Sequence, residues 1–287
     1  MRSSTTRRAG AIALALTAGL ASGQVFYGIT FEGNLTQFDM AAQTVTTIGP
    51  ISVGPTSPAG FQDLAFDGSG NLYALQGQVF TGFPPPPSNN KTYLVNKDTG
   101  AAVLQGDMGI SGLLHASLGF RSSNSSFYSI RNTNGYLGIL DVSTGGFSPV
   151  TGSMHGIRNY VEALAIDPTS GLAYSVVNLG SPPPFGSDNF GLLATDLDAG
   201  TSSIIGSFGI GTDDAKALRF DNNGVAYTVN YDTGDVYTVN IATGQATFLF
   251  AGGAAAVHTT GLAFVPTPGT VGLMALGGLA AASRRRR

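Results

Sequence analysis

Asp63-Leu64-Ala65-Phe66-Asp67-Gly68-Ser69-Gly70-Asn71-Leu72-Tyr73-Ala74 decides the fold of this 287-residue chain. Two short alternating apolar runs flank a polar, glycine-rich turn, the signature of two paired antiparallel strands. The phrase recurs. Leu118-Gly119-Phe120 precedes Phe127-Tyr128-Ser129, Leu164-Ala165-Ile166-Asp167 precedes Ala173-Tyr174-Ser175, and Leu218-Arg219-Phe220-Asp221 precedes Ala226-Tyr227-Thr228. Each copy continues into a third apolar run ending at a turn glycine: Leu94-Val95-Asn96 before Gly100, Ile139-Leu140-Asp141 before Gly145, Ala194-Thr195-Asp196 before Gly200, and Tyr237-Thr238-Val239-Asn240 before Gly244. A fourth run follows, such as Ala246-Thr247-Phe248-Leu249-Phe250. The unit is a four-stranded antiparallel sheet of roughly 45 to 55 residues, the size of a propeller blade.

Five tyrosines, Tyr27, Tyr73, Tyr128, Tyr174 and Tyr227, mark the second strand of each unit. The first has no Leu-x-Phe strand before it, and that strand stands at the far end as Thr260-Gly261-Leu262-Ala263-Phe264. The expected fold is therefore all-β: a five-bladed β-propeller of four-stranded antiparallel blades, closed by a C-terminal strand that completes the N-terminal blade. Closure is expected to remove the open edges on which other chains pair. A β-sandwich of similar strand count competes, but gives no reason to place the missing strand at the terminus. A sixth blade would need another tyrosine-bearing repeat, and the absence of Trp separates the chain from WD40 repeats.

Only 11% of residues are charged, against about 25% in ordinary globular chains, while 43% are hydrophobic and 41 are Gly. Such apolar content argues against disorder, and the absence of Cys excludes disulfide scaffolds, thiol chemistry and zinc ribbons. A net charge of −3 lacks the clustered Lys and Arg of a nucleic-acid surface.

The charge is uneven. Arg2, Arg7 and Arg8 precede an apolar run from Ala9 to Ala21, and Ala21-Ser22-Gly23 supplies small residues before Gln24. Residues 1–23 read as a secretory signal peptide cut between Gly23 and Gln24 by signal peptidase; the run falls short of the roughly 20 residues of a membrane span. At the other end, Val265-Pro266-Thr267-Pro268 leads into the apolar stretch Val271–Ala282 and then Arg284, Arg285, Arg286 and Arg287. An apolar stretch closed by arginines halts a translocating chain with its basic end in the cytoplasm.

This tripartite ending resembles the PEP-CTERM sorting signal of exported bacterial proteins, with Thr267 where that family has Glu. The resemblance covers residues 265–287. It implies transient membrane association through the C-terminal helix, processing by an exosortase, and display at the cell surface, in the outer envelope or in an exopolysaccharide matrix. The body is then residues 24–264. Seven of the 14 basic residues lie in the two terminal segments, leaving seven against 17 acids and a net charge of −10.

The marker tyrosine stands 27 and 26 residues before its turn glycine in repeats two and four, but 17 in repeats three and five. The extra length falls between second and third strands and carries the proline runs Pro84–Pro87 and Pro182–Pro184, which favour extended, semi-rigid loops. In an up-and-down blade these loops share a face with the links between blades. Candidate binding residues there are His115, Tyr160, Glu162, Asp213, Asp214 and His258, since loops on a rigid scaffold usually carry the site. Exopolysaccharide or a surface protein is the expected partner.

Catalysis is not expected. His115, His155 and His258 form no spaced metal motif. Asp67, Asp167 and Asp221 hold one equivalent position at the start of a hairpin turn, where Asp caps backbone N–H groups. Asp67-Gly68-Ser69-Gly70-Asn71 resembles part of a calcium loop but lacks the closing Glu, so no cofactor is expected. The alternative is a secreted carbohydrate-active propeller enzyme, a glycosidase or lyase, for which Asp63 and Glu162 on or beside first strands supply the residue types.

Overall fold

A computed structural model describes residues 24–77, 90–108, 117–131, 136–150, 161–179, 190–210 and 215–265. Its strands are β1 (Val25–Thr30), β2 (Asn34–Asp39) and β3 (Thr44–Pro50); β4 (Phe61–Phe66), β5 (Leu72–Gln76), β6 (Lys91–Val95) and β7 (Ala102–Asp107); β8 (Gly119–Arg121), β9 (Ser126–Arg131), β10 (Tyr136–Leu140) and β11 (Phe147–Pro149); β12 (Val161–Ile166), β13 (Ala173–Asn178), β14 (Phe190–Asp196) and β15 (Thr201–Ser207); β16 (Ala215–Phe220), β17 (Ala226–Asn230), β18 (Asp235–Val239) and β19 (Ala246–Ala251); and β20 (Thr259–Phe264). They form five four-stranded sheets, four of them consecutive in sequence and one ordered β20-β1-β2-β3. The ring closes as expected: β20 pairs antiparallel with β1, with Phe26 opposite Phe264 and Gly28 opposite Leu262. All five marker tyrosines fall on second strands.

The core is divided into five wedges, one between each pair of successive blades, rather than gathered into a single centre. Leu64, Leu118, Leu164, Leu218 and Leu262 occupy one equivalent position in the five innermost segments, and all are fully or almost fully buried. The repeated tyrosine is explained by the same joints. Tyr27 meets Phe66 of the next blade edge-on at 5.8 Å, Tyr174 meets Phe220 at 5.3 Å, and Tyr227 meets Phe26 across the closure at 5.1 Å. Each such aromatic pair contributes about 0.5–1.5 kcal/mol beyond its buried area.

Turn residues act as their chemistry requires. Asp67 Oδ1 accepts N–H bonds from Ser69 and Asn71, Asp167 from Thr169 and Ser170, and Asp221 from Asn223 and Val225. Gly145 and Gly244 adopt φ of +81° and +82°, and a Cβ on either would strike the backbone of the preceding blade at Asp107 or Gly206. Glycine is therefore required there twice over, by conformation and by close approach.

Closure removes the seam but not the outer edges, in contrast to the sequence expectation. The fourth strands remain open on their far side, and they carry exposed Val103, Leu104, Ile204 and Phe248. Four of them are bulged, with Ile48, Gln105, Ile205 and Leu249 as the extra residues in the register. Three of these extra residues pack into the wedge cores. A bulge twists an edge strand and interrupts its hydrogen-bonding row, which blunts it as a template for pairing.

Candidate functional site

Just after its leucine each innermost segment holds one equivalent residue, Ala65, Gly119, Ala165, Arg219 or Ala263, of which Ala65, Arg219 and Ala263 line the axial channel. Four are small because five strands converge there. The fifth fills the centre. Arg219 Nε donates to Leu262 O at 2.5 Å, and Nη2 reaches Leu64 O at 2.7 Å, Leu118 O at 2.9 Å and Asp63 Oδ1 at 3.2 Å. One guanidinium thus ties blade five to blades one, two and three. Asp63 is 1% exposed and also accepts the N–H groups of Leu64 and Leu118, each at 2.8 Å. Gly261 makes room for it, since a Cβ there would lie 2.5 Å from Asp63 Cα. Burial pushes the Asp63 carboxyl up to about 7, against the pull of Arg219 and the two backbone donors. The same burial pulls Arg219 down, and Asp63 opposes it.

Above this plug, on the face of the turns joining first and second strands, the channel widens into a cavity of about 390 Å³ lined from all five blades. That lies within the usual range for small-molecule pockets. Its floor is Ala65, Ala263 and Arg219, and Phe66, Phe120, Ile166, Phe220 and Phe264 form an apolar collar at one equivalent position of each repeat. Asp67, Asp167 and Asp221 stand at the rim, each occupied in capping its own turn. Arg121, the residue equivalent to these aspartates, forms a bidentate pair with Asp198 at 2.7 Å.

The opposite face, where sequence reasoning placed the site, is described mainly between blades five and one. His258, at the link into β20, adopts φ of +61°, stacks on Tyr231 at 4.9 Å and meets Glu32 Oε1 through Nδ1 at 2.5 Å. Lys216 Nζ lies 4.2 Å from the centre of the Tyr231 ring. Burial raises the Glu32 carboxyl, but hydrogen bonds from its own backbone, His258 and Thr30 outweigh it and hold the group below its ordinary value.

Of the sequence candidates, Glu162 lies half-buried at the second position of β12, beside a bulge where Ala163 takes φ of +49°. It is not joined to His258 by any described contact. His115, His155, Tyr160, Asp213, Asp214 and both proline-bearing insertions lie outside the described residues, as do Gly23, Pro266, Thr267, Pro268, Arg284, Arg285, Arg286, Arg287 and the apolar stretch 271–282. Among the described residues no helix is long and apolar enough to cross a membrane. Gln24 and Val265 are described. Gln24 Nε2 donates to Asp221 Oδ2 at 2.6 Å and its Oε1 accepts from Tyr227 Oη at 2.9 Å; Val265 N–H reaches Val25 O at 3.3 Å. Sequence reasoning assigned Arg219 no role. Its signal was an arginine at a position otherwise held by Ala or Gly.

The chain matches no known family profile and no characterised protein sequence. Among solved structures, a chain of a nidogen/laminin complex is similar with a TM-score of 0.54 at 9% identity, over 85% of this chain and 98% of that one. A Bacteroides uniformis protein provisionally named a 6-phosphogluconolactonase gives 0.46 at 10% identity, over 85% and 99%. At such identities the likeness is one of fold alone.

Proposed function

We propose that this chain is an exported, non-enzymatic β-propeller, sorted to the bacterial surface by its PEP-CTERM-like ending, that binds extracellular polysaccharide. The observation that carries the non-enzymatic reading is the use of Asp63. Glycoside hydrolysis needs two carboxylates placed on either side of a scissile bond. The axial carboxylate here is 1% exposed and engaged by Arg219, Leu64 N–H and Leu118 N–H. The rim carboxylates cap turns. These groups hold the ring together and leave its surfaces for binding.

The two ends suit an exported protein cut at both. Gln24, first residue after the proposed signal cleavage, is already docked on blade five, and the closing strand ends at Phe264, just before the sorting segment. The test is incubation of the purified protein with plant and bacterial polysaccharides. No oligosaccharide is expected to be released. Release that disappears in Glu162→Gln or Asp63→Asn would overturn the non-enzymatic reading in favour of the glycosidase or lyase alternative.

A further inference from the structure

The axial cavity has chemistry of its own, and two features of it restrict what enters. It is blind: Arg219 and Asp63 close the channel below, with Arg219 bonded to three backbone carbonyls of three blades. A polymer cannot thread through, so only a chain end or a small molecule fits. Its floor also holds a polar group in reserve. Arg219 is 8% exposed and lines the cavity, while its described hydrogen bonds use Nε and Nη2 and none uses Nη1. Nη1 is not among the fully buried atoms that lack a partner, so it keeps accessible surface and can donate to a ligand oxygen in place of solvent.

Charge narrows the class. Asp63 neutralises Arg219, and Asp198 neutralises Arg121, which leaves Asp67, Asp167 and Asp221 to set a negative rim. That field repels anions before they reach the floor. An inorganic cation has no seat, because among the described residues no group of carboxylates and imidazoles stands close enough to hold one. An organic ammonium would meet only N–H donors at the Arg219 floor, with no acceptor there for its own protons. What remains is a neutral ligand with hydroxyls and an apolar face. The walls match it, with the Phe120 and Phe264 rings beside the exposed residues Ser122, Ser123 and Thr169.

We infer that the cavity on the turn face binds the terminal residue of a neutral polysaccharide chain, with a sugar hydroxyl accepting from Arg219 Nη1 and the C–H face of the ring against the phenylalanine collar. This rests on the polysaccharide reading above and deepens it by naming the site and the class of sugar.

The experiment is isothermal titration calorimetry of the purified protein with methyl glucoside, methyl galactoside and methyl mannoside, beside glucuronate and glucosamine as charged counterparts. At least one neutral glycoside is expected to bind at least tenfold more tightly than either charged sugar. Gly68→Leu is the decisive variant. Gly68 is exposed on the cavity wall, and a Cβ there meets only the Phe120 ring, at 3.5 and 3.6 Å, so the side chain extends over the opening without backbone strain. It should weaken glycoside binding at least tenfold at unchanged melting temperature; Phe120→Ala should weaken binding as much, with the lower melting temperature that loss of its contact with Phe127 brings, whereas Tyr231→Ala on the opposite face should leave binding unchanged. Absence of binding by all three neutral glycosides, preference for glucuronate, or unchanged binding in Gly68→Leu overturns the inference. If Gly68→Leu still retains whole polysaccharide as the wild type does, the site is wrong and the polysaccharide reading stands. If glycosides bind but no polysaccharide does, the reverse holds.

Discussion

Replacing Arg219 by Met keeps an unbranched apolar stem at the position and removes its charge and donors. The structure shows what is lost: one ion pair to Asp63 at 3.2 Å and hydrogen bonds to the carbonyls of Leu262, Leu64 and Leu118, all within the buried axis. Breaking a buried pair by removing one partner costs about 3–5 kcal/mol, because an uncompensated charge stays behind. For a domain of this length that lowers the melting temperature by about 6–20 °C. Tyrosine fluorescence and far-ultraviolet circular dichroism during urea unfolding measure it, since the chain has 10 Tyr and no Trp.

The pH dependence has a definite sign. Asp63 is carried at about 7 in the folded ring against 3.8 ordinarily, and loss of Arg219 removes the attraction that holds it that low. Below pH about 4 the carboxyl is protonated in both folded and unfolded chains and adds no penalty. As pH rises from there, the unfolded chain releases its proton while the folded variant keeps it, so the variant's stability falls through that window. The deficit of Arg219→Met relative to wild type should therefore be larger at pH 8 than at pH 5. The double variant Arg219→Met with Asp63→Leu should recover the part of the loss that comes from the unpaired charge, but not the part that comes from the Leu64 and Leu118 N–H groups and the three carbonyls left without partners. A single-variant loss below about 1 kcal/mol, the range of an exposed ion pair, or strictly additive effects of the two substitutions, would refute the axial plug.

Three further outcomes follow from named contacts. Gly261→Ala should destabilise by about 1–3 kcal/mol, as overpacking does, because its Cβ overlaps the Asp63 backbone; chemical denaturation at pH 7 measures it. Gln24→Ala removes a bond to a carboxylate and one from Tyr227, and should lower stability by about 2 kcal/mol, with faster amide exchange in β1 than in β10. Deleting Val265–Arg287 should leave the circular dichroism spectrum of the body unchanged, because β20 ends at Phe264, should lower its melting temperature only by what the Val265 N–H bond to Val25 O and its packing contribute, and should release the protein into the culture medium. Retention at the surface after that deletion would remove the sorting proposal.

The architecture was legible because it repeats. Leu-x-Phe, Tyr and Gly recur at blade spacing, and the displaced Thr260–Phe264 strand announces ring closure before any coordinate is known. The turn aspartates were legible too, since capping is a local interaction of residues two to four apart. The axial plug was not, because Arg219 and Asp63 are 156 residues apart and meet only when five inner strands converge. Aligning the repeats does expose Arg219 as the one large residue among Ala65, Gly119, Ala165 and Ala263, and Asp63, two residues before that position, as the one charged residue among Ser117, Ala163, Ala217 and Gly261, but not that the two meet. Bulges escaped for a related reason. Whether Ile48 or Leu249 is extra depends on the strand it pairs with, and alternation within one strand carries no trace of that. The cavity on the turn face leaves no mark in loop length, because it is built from short turns and small residues of the inner strands.

The central claim, binding without cleavage, is tested most directly by size-exclusion chromatography with light scattering on a mixture of the purified protein and the extracellular polysaccharide of its source organism. The account predicts that the protein co-elutes with polymer whose molar mass is unchanged after prolonged incubation. Polymer of falling molar mass, or protein eluting alone at its own mass, would contradict it.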